Sequence, residues 1–565
     1  MSRKHQDRTL KRLGLSIVLF IAVSVFWAGT ASAQWWWWWR WSPPPPEPDP
    51  EPSGAPTLTE IPPGSGLNGH PYAAAPTAPI IPDAPYIDFD AVGYVEREFK
   101  MSGGAKVYSK SGSWGSNGRW GVSVSQTGVP YTTRLLVRYP TDPADFNGTV
   151  VIEWTNITTG GDQDPVFSLT YEELIRGGYA YIAVTPQASA MEFLNGWDPV
   201  RYSGLGSSND GQSYDIFTQA AQVAKDNSDT ILGGLDVENV IGIGDSQSAF
   251  RVVTYANAIQ PLTGAFDGLM PIGRAGPGAP IGNGMIMTSP LGAQIRTDST
   301  TPVLQMITEG DIIELEAGLA RQSDNSYLRT WEVPGAAHID AHEAEYELAI
   351  LARDVPDVPV PECAFGTPIE GTGTPLDGIN QVNNMPLYEV VSGAVAAMHK
   401  WLTQGVAPAH SPQIATFNWY YWFFPPLYAV IVQRDQHDNA LGGIRLPEIE
   451  APTEFYSPIN SVDLTDDIYG MMTNPLELIT TVSDLLITMT QTARIDDPEI
   501  RSAGLCLLSG FFLEFDSAKL HSLYSSHADY VAEYTAAAQA VRDAGFITQA
   551  DYEASIARAQ AAPIP

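Results

Sequence analysis

Four residues of this chain have the types and the order needed to activate a hydroxyl. Ser246 stands in the string GIGDSQSAF, Glu309 and Asp311 in ITEGD, and His338 in PGAAHIDAH. A nucleophilic serine needs an imidazole that takes its proton and gives it back. It also needs a carboxylate that fixes the imidazole tautomer. Gly244-x-Ser246 supplies the small residue required where a sharp turn folds back on the strand before it, although Ser248 stands where a second glycine is usual. His338 follows Gly335, Ala336 and Ala337, whose small side chains leave room beside the ring, and His342 is its competitor. Asp311 is the expected acid, three residues past its strand, with Glu309 the alternative and otherwise a helper or substrate contact. Stabilising an oxyanion takes two backbone N–H groups. One is expected from Gln247 and the other from Thr155 or Asn156, although Asn156 could equally hold its loop in shape.

Each of these residues follows a segment that reads as a strand. Residues 237–243 are rich in β-branched side chains and have the length of a buried strand, and the run FRVVTYANAIQ after Ser246 is compatible with a helix. Residues 301–308 lead to the carboxylates and residues 327–333 to the histidine. Earlier strands are expected over 148–154 and 179–184, with helices over 168–176 and 214–225 and a further strand at 268–272. This β-α-β rhythm predicts a mostly parallel sheet with helices on both faces, whose carboxyl edge carries Ser246. From about residue 91 to the 148–154 strand the pattern is instead one of paired strands.

The remainder is less regular. Helices are expected over 385–402, 526–545 and 552–561. The segment FNWYYWFFPP, residues 417–426, is core or lines an apolar pocket. Residues 434–447 form a turn-rich loop, and 461–500 are expected to be a cap insertion with an amphipathic helix over 476–489.

The chain has 565 residues, 44% of them hydrophobic and 17% charged, enough to bury a large core. Its N-terminus reads as a signal peptide, residues 1–33: five basic residues, an apolar run over 13–28 and Ala31-Ser32-Ala33 as the cleavage site. That run is shorter than the roughly 20 residues of a membrane span. Export to the periplasm or the extracellular space is therefore expected. Residues 34–60, with the tryptophans from Trp35 to Trp41 and the string SPPPPEPDPEP, read as a linker outside the core, and the tryptophans could touch the envelope. The main domain is expected over 61–565. A formal charge of -34, more acidic still without the leader, argues against nucleic-acid or anionic-lipid partners. Cys363 and Cys506 are the only cysteines, and an exported compartment would let them pair. No cofactor and no metal are expected. No H-E-x-x-H or G-x-G-x-x-G string occurs, and His338-x-Asp340-x-His342 is the nearest thing to a ligand set.

From about residue 131 to 561 the chain resembles the exported bacterial proteins of the alpha/beta hydrolase domain family. The strings that carry the resemblance are FNGTVVIEWTN, GGDQDP, RGGYAYIAVTPQ, YDIFTQAA, GIGDSQSA, RTDSTTPVLQMITEGD, WEVPGAAHID, NALGGIRLP and HADYVAEY. The resemblance implies an α/β-hydrolase fold, to which the cap insertion over 461–500 and the C-terminal helices are expected to be added, 461–500 and the tryptophan tail being departures from the shorter members. It further implies an exported serine hydrolase acting on an ester, with Ser246 and His338 on the family's nucleophile and histidine, and no particular substrate. A small-molecule or lipid-like ester is the partner expected here. The order Ser246, carboxylate, His338 agrees with that class. Two other readings use the same residues differently: an acyltransferase working through the same acyl-enzyme, and a non-catalytic envelope- or glycan-binding protein.

Overall fold

The computed structural model describes residues 54–80, 85–158, 160–282, 289–356, 382–421, 427–460 and 505–564. The leader, the tryptophan tail and the 461–500 cap insertion lie outside these residues, as do the side chains of 418–429.

One sheet dominates. Its strands are β1 (Thr57–Ile61), β2 (Tyr94–Ser111), β3 (Gly121–Pro140), β4 (Thr149–Trp154), β5 (Ala180–Val184), β6 (Gly206–Ser207), β7 (Asn239–Asp245), β8 (Gly268–Ile272), β9 (Val303–Thr308) and β10 (Leu328–Val333). They lie in the order β1-β2-β3-β5-β4-β7-β8-β9-β10, with β6 paired to β3. The pairs from β5 through β10 are parallel. β1, β2, β3 and β5 pair antiparallel in turn. Strands β4, β5, β8, β9 and β10 are buried at every position, and β7 at all but its first, because helices cover both faces. Such strands need no polar alternation, which is why β4, β5 and β8 are nearly continuous apolar runs. The polar residues Gln305, Arg329 and Glu332 of β9 and β10 each find a partner: Thr330, the Pro408 carbonyl and Arg321.

Helices α1 (Pro165–Arg176), α2 (Ala188–Trp197), α3 (Ser213–Asp226), α4 (Gln247–Thr254), α5 (Glu309–Glu314), α6 (Ala341–Asp354) and α7 (Leu387–Gln404) connect and cover the sheet. Near the C-terminus α8 (His527–Asp543) and α9 (Gln549–Ala561) pack on each other around Tyr530, Tyr534 and Ala559. Residues 417–421 fall in β11 (Thr416–Tyr421), which pairs antiparallel with β12 (Leu427–Val432), while 422–426 lie outside the described residues. The turn-rich loop after it leads to β13 (Glu454–Ser457), which pairs with β14 (Phe511–Glu514).

Residues 57–60, most of β1, lie inside the stretch that the 34–60 linker reading leaves outside the core. β1 is mostly exposed and polar, and it pairs along one edge of β2. Backbone pairing with β2 holds it, with Ile61 in the hydrophobic core and Leu58 packed against that core. Cys506 is buried and disulfide-bonded, and Cys363 is the only other cysteine of the sequence.

Candidate active site

The end of β7 turns into α4 through Ser246, whose backbone has φ +55° and ψ −120°. A non-glycine residue pays roughly 1–3 kcal/mol for such a conformation, so the surroundings must hold it there. The Ser246 N–H donates to the Ile272 carbonyl at 3.0 Å, tying the turn to β8. A Cβ on Gly244 would stand 3.0 Å from the Ser248 carbonyl carbon and hydroxyl, so this position tolerates little beyond hydrogen. Ser248 does more than fill the place of a second glycine. Its hydroxyl accepts from the Asp245 N–H at 3.0 Å and donates to the Asp245 carbonyl at 2.7 Å, closing the turn from inside.

His338, on the loop after β10, reaches Ser246: Nε2 lies 2.7 Å from Oγ. Its Nδ1 lies 2.5 Å from Asp311 Oδ1. A carboxylate can only accept, so Nδ1 carries the hydrogen and Nε2 is left to receive the serine proton. Asp311 is itself held. Its Oδ2 accepts the Thr308 N–H at 2.7 Å, while the Thr308 hydroxyl accepts the Asp311 N–H at 3.0 Å, a reciprocal cap on α5. All three side chains are buried. Burial alone draws the His338 imidazolium toward neutrality, but Asp311, through charge and hydrogen bond, and then Asp245 outweigh it and leave the pKa above the ordinary value. Burial pushes the Asp245 carboxyl up to about 7, partly offset by His338.

The other residues singled out from the sequence lie elsewhere. Glu309 is buried with Oε2 accepting the Gly335 N–H at 2.7 Å and Oε1 paired with Arg434. It braces the turn that leads to His338 and does not touch the ring. His342 is stacked between Tyr171 and Tyr388, with ring centroids 5.6 and 4.1 Å away, and its Nε2 lies 3.6 Å from Glu172. Asp340 caps α6 through the Glu343 N–H. Among the described residues no group of three or more His, Cys, Asp or Glu could hold a metal ion.

The Gln247 N–H opens α4 at its first position, and among the described residues it has no protein acceptor. The expected second donor is a different matter. Thr155 gives its N–H to Val184 at 3.1 Å and Asn156 gives its own to Gln163 at 2.7 Å, so both are committed to backbone partners. Thr155 extends the β4–β5 ladder past the strand end, and Asn156 forms a bridge across its own loop. The Asn156 side chain instead donates to the Asp245 carbonyl at 3.1 Å and accepts from the Thr158 N–H, the shaping role that the sequence left open. The Ile157 N–H is the next along the loop and has no acceptor among the described residues.

The GGDQDP string reads from the sequence only as a polar, glycine-bearing loop, and the structure gives each of its polar residues a tie. Asp162 meets Arg134 at 3.1 Å and the Thr155 hydroxyl at 2.5 Å, Gln163 donates to Glu347 at 2.6 Å, and Asp164 meets Arg138. Both arginines lie buried on β3. The only advance signal was a pair of arginines inside an apolar strand, where a charge demands a partner.

Residues 54–477 and 488–557 match the family described as "Alpha/beta hydrolase domain". This chain belongs to the alpha/beta hydrolase domain family. Among solved structures, this family member is similar to a dienelactone hydrolase from Anabaena variabilis, at 17% identity over 39% of this chain and 89% of that one, TM-score 0.24. It is similar also to Est1E from Butyrivibrio proteoclasticus, at 11% over 40% and 92%, TM-score 0.23. A third is the rice cell wall degrading esterase LipA from Xanthomonas oryzae, at 14% over 32% and 43%, TM-score 0.20, so that less than half of the Xanthomonas chain is spanned. No curated protein matches the chain.

Proposed function

We propose that this alpha/beta hydrolase domain protein is a serine hydrolase that cleaves a carboxylic ester through an acyl-enzyme on Ser246. One observation carries the reading: His338 spans from Ser246 Oγ at 2.7 Å to Asp311 Oδ1 at 2.5 Å, while Ser246 sits on a strand-to-helix turn with positive φ. In the first step His338 Nε2 takes the Ser246 proton as Oγ attacks the ester carbonyl. The oxyanion accepts hydrogen bonds from the Gln247 N–H and, in place of Thr155 or Asn156, the Ile157 N–H. His338 then returns the proton to the departing alcohol, and Asp311 holds the imidazolium that forms between the two transfers. Water, activated by His338, cleaves the acyl-enzyme and frees the acid. Glu309 acts through the Gly335 turn and is a positioning residue. The leader sequence and the disulfide-bonded Cys506 support export to an oxidising compartment.

The test is a 4-nitrophenyl ester series followed by rapid mixing. Wild-type protein should release a burst of nitrophenol equal to the enzyme concentration whenever deacylation is the slower step, and Ser246→Ala should release none. Turnover by the folded Ser246→Ala protein at the wild-type rate would refute the reading.

A further inference from the structure

The C-terminal ends of β5 and β7 are bridged across β4 by two glutamines. Gln187 follows β5 and Gln247 follows Ser246, and both are buried, at 0% and 2% exposure. Their orientation is fixed by Trp154 at the end of β4. An indole N–H can only donate, so the Gln187 atom 3.0 Å from Trp154 Nε1 is the carbonyl oxygen Oε1. The same oxygen accepts Gln247 Nε2 at 3.2 Å. This leaves Gln187 Nε2 and Gln247 Oε1, one donor and one acceptor, without a partner among the described residues. One turn further along α4 the fully buried Arg251 also keeps its Nε–H without a partner among the described residues, although its terminal nitrogens meet Asp210 at 3.3 Å and the Pro280 carbonyl at 3.1 Å.

Buried polar groups of this kind are costly unless something fills them. Their place next to the nucleophile makes the substrate a candidate to do so. A carboxylate would satisfy the donor and be repelled by Gln247 Oε1, and an alkyl group would satisfy neither. A hydroxyl both donates and accepts, and neighbouring hydroxyls can meet the two amide atoms together.

We infer that the Gln187–Gln247 pair is a hydroxyl-reading subsite beside Ser246 and that the ester it serves carries a polyhydroxylated, carbohydrate-like group. This rests on the serine-hydrolase reading above. Two matched pairs of esters separate the alternatives. With hydroxyls on the alcohol side, methyl 6-O-acetylglucopyranoside is compared with cyclohexylmethyl acetate. With hydroxyls on the acyl side, the methyl ester of methyl glucopyranosiduronate is compared with methyl cyclohexanecarboxylate. Wild-type kcat/KM should favour the hydroxylated member of at least one pair by about tenfold or more, the scale set by leaving a buried donor and acceptor unpaired.

That ratio should collapse toward one in Gln187→Glu, which keeps an acceptor for Trp154 and removes the free donor, and in Gln187→Leu. Gln187→Glu carries the test if the leucine variant does not fold. A wild-type enzyme that cleaves both members of both pairs equally overturns the subsite and leaves the hydrolase reading intact. So does a preference that survives in the folded Gln187 variants. Inertness toward all four esters together with the 4-nitrophenyl series overturns the hydrolase reading, and the subsite with it.

Discussion

Replacing each carboxylate of the 309–311 turn in turn separates the residue that touches the histidine from the one that braces its loop. In Asp311→Asn the side-chain oxygen can keep the Thr308 N–H that Oδ2 now accepts at 2.7 Å, so the cap on α5 survives. The amide nitrogen then faces His338 Nδ1, which must become an acceptor. The ring proton moves to Nε2, and the nitrogen facing Ser246 can no longer take the serine proton. That tautomer error is worth about 10⁴ in kcat, or about 5 kcal/mol at 1.36 kcal/mol per decade, with a small change in melting temperature. Glu309→Gln keeps an acceptor for the Gly335 N–H and loses the charge that faces Arg434. The Arg434 side chain is 28% exposed, so solvent screening brings the cost of that loss to about 1 kcal/mol of stability, with kcat within tenfold of wild type. Steady-state kinetics on a 4-nitrophenyl ester and thermal melts of the same preparations read both numbers. A thousandfold loss in a folded Glu309→Gln, with Asp311→Asn within tenfold of wild type, would refute the assignment of the acid.

Three further outcomes follow from the same geometry. His338 acts as a base only when neutral, and Asp311 and Asp245 raise its pKa. The acid limb of kcat/KM should therefore lie above pH 6.5, and Asp245→Asn, which removes one of the two carboxylates, should move it to lower pH; an unmoved limb would contradict the coupling. Stability should fall between about pH 4 and about pH 8. Burial raises Asp245 to about 7 and Glu347 and Glu389 to about 8, so these groups keep protons in the folded chain that the unfolded chain releases above about pH 4. Their stabilisation is complete below the unfolded pKa and is lost as pH rises through the folded values. Glu60, Glu172 and Asp198, whose pKa values are lowered, lose stability on the acid side below that window, and melting temperatures across it would check the sign. Ser248→Ala leaves the buried Asp245 N–H without its acceptor and should cost about 1–3 kcal/mol; a denaturant midpoint unchanged from wild type would show that the Ser248 hydroxyl does not hold the turn.

Much of this was legible because central strands buried on both faces are written mostly as runs of apolar and β-branched residues, with only scattered polar positions such as Glu153, Gln305 and Glu332. The strands ending at Trp154, Val184, Ile272, Thr308 and Val333 end where the runs end. The order of serine, carboxylate and histidine after three such strands was likewise visible. The choice between Asp311 and Glu309 was not settled by sequence, because both stand in the first turn of one short helix and side-chain direction depends on the Thr308 cap. Ser248 read as a departure from the motif because nothing local reveals that its hydroxyl bonds the residue three positions back. Whether Thr155 or Asn156 keeps its N–H free for an oxyanion was not legible, because the partners of those N–H groups, Val184 and Gln163, come from a neighbouring strand and from the far side of the loop. β1 was missed because its two core-facing residues, Leu58 and Ile61, are too few and not alternating, so they make no strand pattern in a proline- and glycine-rich stretch.

The most direct measurement is reaction of the purified protein with a fluorophosphonate, read by intact mass beside Ser246→Ala. An activated serine predicts a single adduct on the wild type and none on the variant. An adduct that persists on Ser246→Ala, or a folded wild type that takes up none, would contradict the central claim that His338 and Asp311 activate Ser246.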